Sequence, residues 1–240
     1  MRGITAIVLA GCSMLSGCLE FEQKVKLNAD GSGTQSVRMT VQEKVLKDLR
    51  QAQPAAHLGE AGDPTAVFEE QRVRAELTEA GLELIAHEVD KTAQRRQVEL
   101  TASFASFEVL QKSPLCGSAA EWEIAPGPRK GTGKLSLYPQ GKVAWQEARK
   151  KAEQMRGEPD PLVEAFFQKR QQQLAGLDVR VTFELPGDVI AWTNNMEKTG
   201  PREVAAVVKA EQIKTPEDLV RRLAPRFEVI FDASGCTFVR

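Results

Sequence analysis

The sequence predicts an α+β fold: an antiparallel sheet built from hairpins, with helices covering one face. Three observations carry this. Apolar residues alternate with polar ones over many short stretches, the period of a half-buried strand. The clearest is Leu177, Val179, Val181, Phe183 and Leu185. Most such stretches come in adjacent pairs joined by short polar or glycine-bearing turns, which favours antiparallel neighbours. Between the pairs the period changes to that of a helix, with capping residues and prolines at the changeovers.

The elements follow in chain order. Phe21, Val25 and Leu27 alternate, as do Val37, Met39 and Val41, on either side of Asn28-Ala29-Asp30-Gly31-Ser32-Gly33. Asp30-Gly31 suits the positive φ angles of a tight hairpin turn. Asn28, Asp30 and Ser32 also fall on alternate positions, as in a calcium loop. An EF-hand would need an apolar residue where Gln35 stands and a glutamate where Met39 stands, so calcium is not expected. Val41, Val45, Leu46 and Leu49 have helical spacing. Asp63-Pro64 starts a second helix with Phe68, Val73, Leu77 and Ala80 on its apolar face, and Gly81 ends it.

Two strands follow, around Leu82 to Ala86 and Val98 to Phe104, with Asp90 to Arg96 as the turn. A short helix near Phe107 to Gln111 stops before Pro114. Trp122 and Ile124 mark a strand that Pro126-Gly127-Pro128 turns into its partner, Leu135 and Leu137. Val143, Ala148, Ala152 and Met155 give one helical stripe. Asp160-Pro161 opens another, with Leu162, Phe166 and Leu174. After the strand of residues 177–185, Val189 to Trp192 and Val204 to Val208 read as strands bridged by a polar turn, Thr193 to Arg202. Thr215-Pro216-Glu217-Asp218 caps a helix that Pro225 stops, and Phe227, Val229 and Phe231 form the last strand. The strands fall mostly in adjacent pairs with helices between, and the sequence has no long linker, no repeat and no low-complexity segment.

Composition bounds the function. The chain carries 32 basic and 33 acidic residues, interspersed, for a net charge of −1. That balance does not fit a nucleic-acid protein. Catalytic signatures are missing from the sequence. The histidines, His57 and His87, are not spaced as zinc ligands. No Gly-x-Ser-x-Gly elbow and no phosphate-binding loop occurs. Glu69-Glu70 reads as the solvated side of a helix, and Trp122, Trp145 and Trp192 as core residues or the lining of a ligand site. No catalytic residue, metal or cofactor is therefore expected, and an enzyme is not the favoured class.

The amino terminus is more specific. Met1-Arg2 precedes the apolar run Ile4 to Leu15, too short to span a bilayer, and Leu15-Ser16-Gly17-Cys18 follows. This stretch resembles a bacterial lipoprotein signal peptide with its lipobox. The resemblance implies removal of residues 1–17 and a single extracytoplasmic domain over 18–240, held by a diacylglycerol and usually a third acyl chain such as palmitate at Cys18. Leu9-Ala10-Gly11-Cys12 is a second lipobox-like stretch, but it would leave a signal of 11 residues, shorter than usual. The residue after Cys18 is Leu19, not Asp. In the enterobacterial form of the family this implies sorting to the outer membrane, facing the periplasm.

An exported compartment is oxidising, so the two cysteines of the remaining chain, Cys116 and Cys236, suggest a disulfide. Two free thiols are the alternative, and metal binding the weaker one. The run Phe183-Glu184-Leu185-Pro186-Gly187-Asp188-Val189, with the Asn28 to Thr34 turn, is similar to a family of α+β bacterial lipoproteins that includes the mycobacterial LppM-type domain. That resemblance implies an envelope-associated role, with lipid or glycolipid contact. Three functional classes result: a non-catalytic envelope lipoprotein with a protein or cell-wall partner, a carrier or sensor of a lipid or other apolar ligand, and an enzyme without a recognisable motif.

Overall fold

The computed structural model of the chain describes residues 19–46, 66–117, 119–155 and 161–239. Cys12, Cys18, His57 and the helix start at Asp63-Pro64 lie outside these residues.

The fold is α+β, with strands in two sheets. The larger begins with the expected hairpin, β1 (Leu19–Leu27) and β2 (Gly33–Gln42), in which Leu27 faces Gly33. Asp30 Oδ1 closes the turn by accepting from Ser32 N at 2.9 Å and Ser32 Oγ at 2.6 Å. The polar side chains of this loop are thus spent on the turn. Gly33 must be glycine, since a Cβ there would sit 1.9 Å from the Lys26 carbonyl oxygen. β3 (Glu83–Lys91) and β4 (Arg95–Phe104) extend the sheet on the β2 side. On the β1 side lie β7 (Asp178–Glu184), β10 (Glu203–Lys209) and β9 (Met196–Gly200), giving the order β3-β4-β2-β1-β7-β10-β9. The second sheet comprises β5 (Glu121–Pro126), β6 (Thr132–Tyr138), β11 (Phe227–Asp232) and β8 (Val189–Trp192) in the order β5-β6-β11-β8.

Three expectations need correction. β1 and β7 pair in parallel, although every other pairing among the described residues is antiparallel. They come together only after the intervening chain has crossed over, which hairpin logic cannot see. The stretch from Val189 to Val208 is not one hairpin: β8 joins β11 in the second sheet, while β10 pairs with β9. β9 read as a turn because it is an edge strand with Met196 as its one buried residue. Finally, helices do not cover the inner face of the large sheet alone; the second sheet shares that work.

The core lies between the sheets. Val25, Val98 and Phe183 from the first meet Leu135, Val229 and Phe231 from the second in one cluster. Trp122 and Phe183 join the two layers edge to face, ring centres 5.9 Å apart. The opposite face of the large sheet is charged and open to solvent. There Lys24 Nζ lies 2.8 Å from both Glu184 and Glu203, and Arg38 bridges to Glu99 at 2.8 Å.

The helices close the edges. α1 (Glu70–Glu79) buries Val73 and Leu77 beside β3, and α2 (Phe107–Leu110) buries both ends of its single turn. α3 (Lys142–Gln154) packs against α5 (Pro216–Leu223). Its expected stripe is only partly right, because Val143 is 65% exposed while Trp145 meets Tyr138 at 5.6 Å. α4 (Pro161–Gln173) contributes Phe167 to a small second cluster with Leu174, Ile213 and Leu219. The capping sequence before α5 is realised in full. Thr215 Oγ1 accepts from Asp218 N at 3.0 Å, and Asp218 Oδ2 accepts from Thr215 N at 3.1 Å.

Candidate functional site: an apolar cavity at the start of the first strand

Register places Phe21 of β1 opposite Val179 of β7, and Val179 opposite Val208 of β10. This row lies at the end of the sheet where β1 begins. Three apolar side chains there need a cover, and the small cluster supplies it: Leu174 and Leu177 from the α4–β7 connection, Ile213, and Leu219 of α5. The cover is incomplete. It leaves an apolar cavity of about 60 Å³, bounded on its third side by Leu115, Leu137 and Phe227. A cavity with so few polar groups does not hold water stably and favours an apolar guest.

Gln23 and Cys116, part of a buried cluster, give the cavity a polar wall, and Arg222 lines it as well. Gln35 Nε2 donates to Cys116 Sγ at 3.0 Å, and Gln23 Nε2 donates to it at 3.6 Å and to the Leu115 carbonyl at 3.2 Å. Ser113 Oγ donates to Gln35 Oε1 at 2.5 Å. Trp122 Nε1 also interacts with the sulfur but makes no hydrogen bond among the described residues. Burial pushes the Cys116 thiol up to about 11, against the opposing pull of Trp122, Gln35 and Gln23. A thiol so held is neutral and unreactive at ordinary pH.

The expected Cys116–Cys236 disulfide is not formed in this structure. Cys116 and Cys236 are free thiols, and Cys116 is turned into the glutamine cluster. Cys236 is partly buried at the rim of the core, its thiol raised by burial and by Asp232. His87 also has a structural role: its Nε2 lies 2.9 Å from the Val67 carbonyl, so that nitrogen carries the proton and donates. Of the tryptophans, Trp122 is core, Trp192 is 40% exposed on β8, and Trp145 lines a second, polar depression beside the cavity.

Sequence reasoning missed Gln23 and Gln35. The signal was present: both sit at inward positions of alternating strands, where a polar side chain must find a buried partner. Phe21, Val179 and Val208 were identified as strand residues, but not as neighbours in one row.

No family model matches the chain, and no curated protein matches it. Among solved structures it is similar to the NMR structure of the folded domain of LppM from Mycobacterium tuberculosis, at 12% identity over 91% of each chain, with a TM-score of 0.42. A likeness at this level carries no inference about binding or activity.

Proposed function

We propose that the chain is a lipid-anchored protein of the bacterial cell envelope, processed to begin at Cys18 and acting without catalysis close to the bilayer. The cavity between the row Phe21–Val179–Val208 and α5 is its binding site, and an acyl chain or similar apolar group is its ligand. The position of that cavity carries the proposal. β1 starts at Leu19, directly after the lipobox cysteine, and Phe21 is already cavity wall. Three residues reach at most about 11 Å even when extended. A lipid at Cys18 would thus hold the cavity at the membrane surface. The lipobox and Leu19 favour the outer membrane, facing the periplasm.

The reading as an enzyme has less support. His87 is spent on a backbone carbonyl, and Cys116 is a buried neutral thiol. A purely structural or protein-binding role would leave the cavity without a use.

Binding of a fluorescent fatty acid to the membrane-extracted protein tests the proposal. Val179→Phe places a larger side chain into the cavity from a half-buried position. Saturable binding by the natural protein and its loss in a folded Val179→Phe variant are expected. Equal, non-saturating partition into both proteins would contradict the proposal.

A further inference from the structure

Beside the cavity, α3, α5 and the start of β11 enclose an open cleft of about 580 Å³. Four arginines line it: Arg149 of α3, Arg221 and Arg222 of α5, and Arg226 just before β11. Arginines in the last turn of a helix complement its dipole, which accounts for Arg221 and Arg222. It does not account for Arg149 or Arg226, which reach the same cleft from other elements.

The local acids, Glu153 and Asp218 in the cleft lining and Glu217 and Glu228 beside it, equal the arginines in number but do not pair with all of them. Arg149 pairs with Glu153 at 3.2 Å, and Arg221 with Glu217 at 2.6 Å. Asp218 lines the cleft too, but its Oδ2 is engaged by the Lys214 and Thr215 backbone amides. Arg222 Nη1 donates at 3.1 Å to Gln212 Oε1, a neutral oxygen. Arg226 stacks over Trp145 at 4.8 Å and lies 3.6 Å from Glu228 Oε2, an oxygen that also has Lys134 at 3.9 Å and Ser136 Oγ at 3.4 Å. Two half-buried guanidiniums thus face the cleft with their charge only partly met. Stacking fixes one of them, and planar forks of this kind recognise phosphate oxygens two at a time.

The cleft and the apolar cavity are contiguous: Val208, Arg222, Pro225 and Phe227 line both. We propose that the cleft binds a phosphoryl group, with Arg222 and Arg226 as its principal ligands and Trp145 as the platform that positions Arg226. The group comes either from a lipid whose chain enters the cavity or from a water-soluble phosphate ester. Only the first source rests on the cavity reading; the cleft stands on its own residues.

The indole resonance of Trp145 reports occupancy in the full lipidated protein. Inorganic phosphate, titrated against detergent-solubilised protein at constant ionic strength, is expected to shift it saturably. Arg222→Gln should weaken that binding about tenfold or more, because a charged hydrogen-bond donor is lost. Arg222→Lys keeps the charge without the fork and should fall between. The exposed Arg149→Gln, which disturbs no packing, should weaken it about two- to fivefold and guards against misfolding of the others.

Reconstitution into phosphatidylglycerol or phosphate-free galactolipid vesicles separates the sources. A resonance moved only by phosphatidylglycerol, and no longer by added phosphate, assigns the cleft to a lipid head group. Equal resonances in the two vesicles, with phosphate still binding, assign it to a soluble phosphate ester. Absence of a saturable phosphate shift together with equal resonances would overturn the proposal. So would an unchanged response in a folded Arg222→Gln, Arg226→Gln double variant. Fatty-acid binding that survives such a result leaves the cavity reading standing, and phosphate binding without fatty-acid binding leaves the cleft alone standing.

Discussion

Gln35→Leu removes the centre of the buried polar cluster while keeping most of the side-chain volume. Gln35 is fully buried; it donates to Cys116 Sγ and accepts from Ser113 Oγ. The thiol, neutral because burial raises it to about 11, loses little when that donor goes. Ser113 loses more. Its oxygen keeps the bond from Leu115 N at 3.3 Å, but its proton is left without an acceptor inside the protein. A buried donor orphaned in this way costs about 1–3 kcal/mol. The urea midpoint should fall accordingly with an unchanged slope. The same accounting makes a second forecast: removing the orphan with Ser113→Ala in the Gln35→Leu background should restore part of the loss, because replacing both partners is far cheaper than replacing one. A Gln35→Leu protein within about 0.5 kcal/mol of the natural one would refute this reasoning. A double variant as unstable as the sum of the two single ones would refute it too.

Two further predictions concern charge and thiols. On the open face, hydrogen bonds from Lys24 hold the Glu184 and Glu203 carboxyls below the usual 4.5, and Lys26 and Thr199 add to this. The stability from these lowered carboxyls is present above the unfolded value and is lost as pH falls through the folded ones. Lys24→Met should therefore cost about 1 kcal/mol at neutral pH for two half-exposed pairs, a cost that shrinks as pH falls and is gone once both carboxyls are protonated. A cost that stays constant in urea titrations over that fall in pH would count against the pairing. For the cysteines, an alkylating reagent at neutral pH should label Cys236 and spare Cys116 until denaturant is added. Against an ordinary value of 9.0, a thiol at about 11 has roughly one hundredth of the thiolate. Recovery of a Cys116–Cys236 disulfide peptide from the native protein would contradict the free-thiol arrangement.

Local chemistry was legible in the sequence. The Asp30-Gly31 turn, the Thr215 cap and the alternation of residues 177–185 each rest on contacts within a few residues. Non-local relations were not legible. β9 has one buried residue, so its period is invisible, and the parallel join of β1 to β7 brings together residues 158 positions apart. The assignment of β8 to the second sheet depends on β11, the last strand in chain order. The cavity is a product of all of these, and no single stretch encodes it. Arg222 and Arg226 looked like surface charges, because a sequence does not show that α3 brings Trp145 and Arg149 alongside them.

In the proposed function a short tether from Cys18 keeps the cavity at the bilayer, and this closeness serves binding. Uptake of a fluorescent acyl lipid from the host vesicle by the reconstituted, lipidated protein measures it directly. A Gly/Ser spacer of about 20 residues between Cys18 and Leu19 has a root-mean-square length of roughly 25 Å, more than twice the present reach, and leaves β1 intact. Uptake should be slower with the spacer while folding and anchoring stay unchanged. Uptake at the same rate with and without the spacer, or a mature protein whose lipid is not on Cys18, would contradict the proposal.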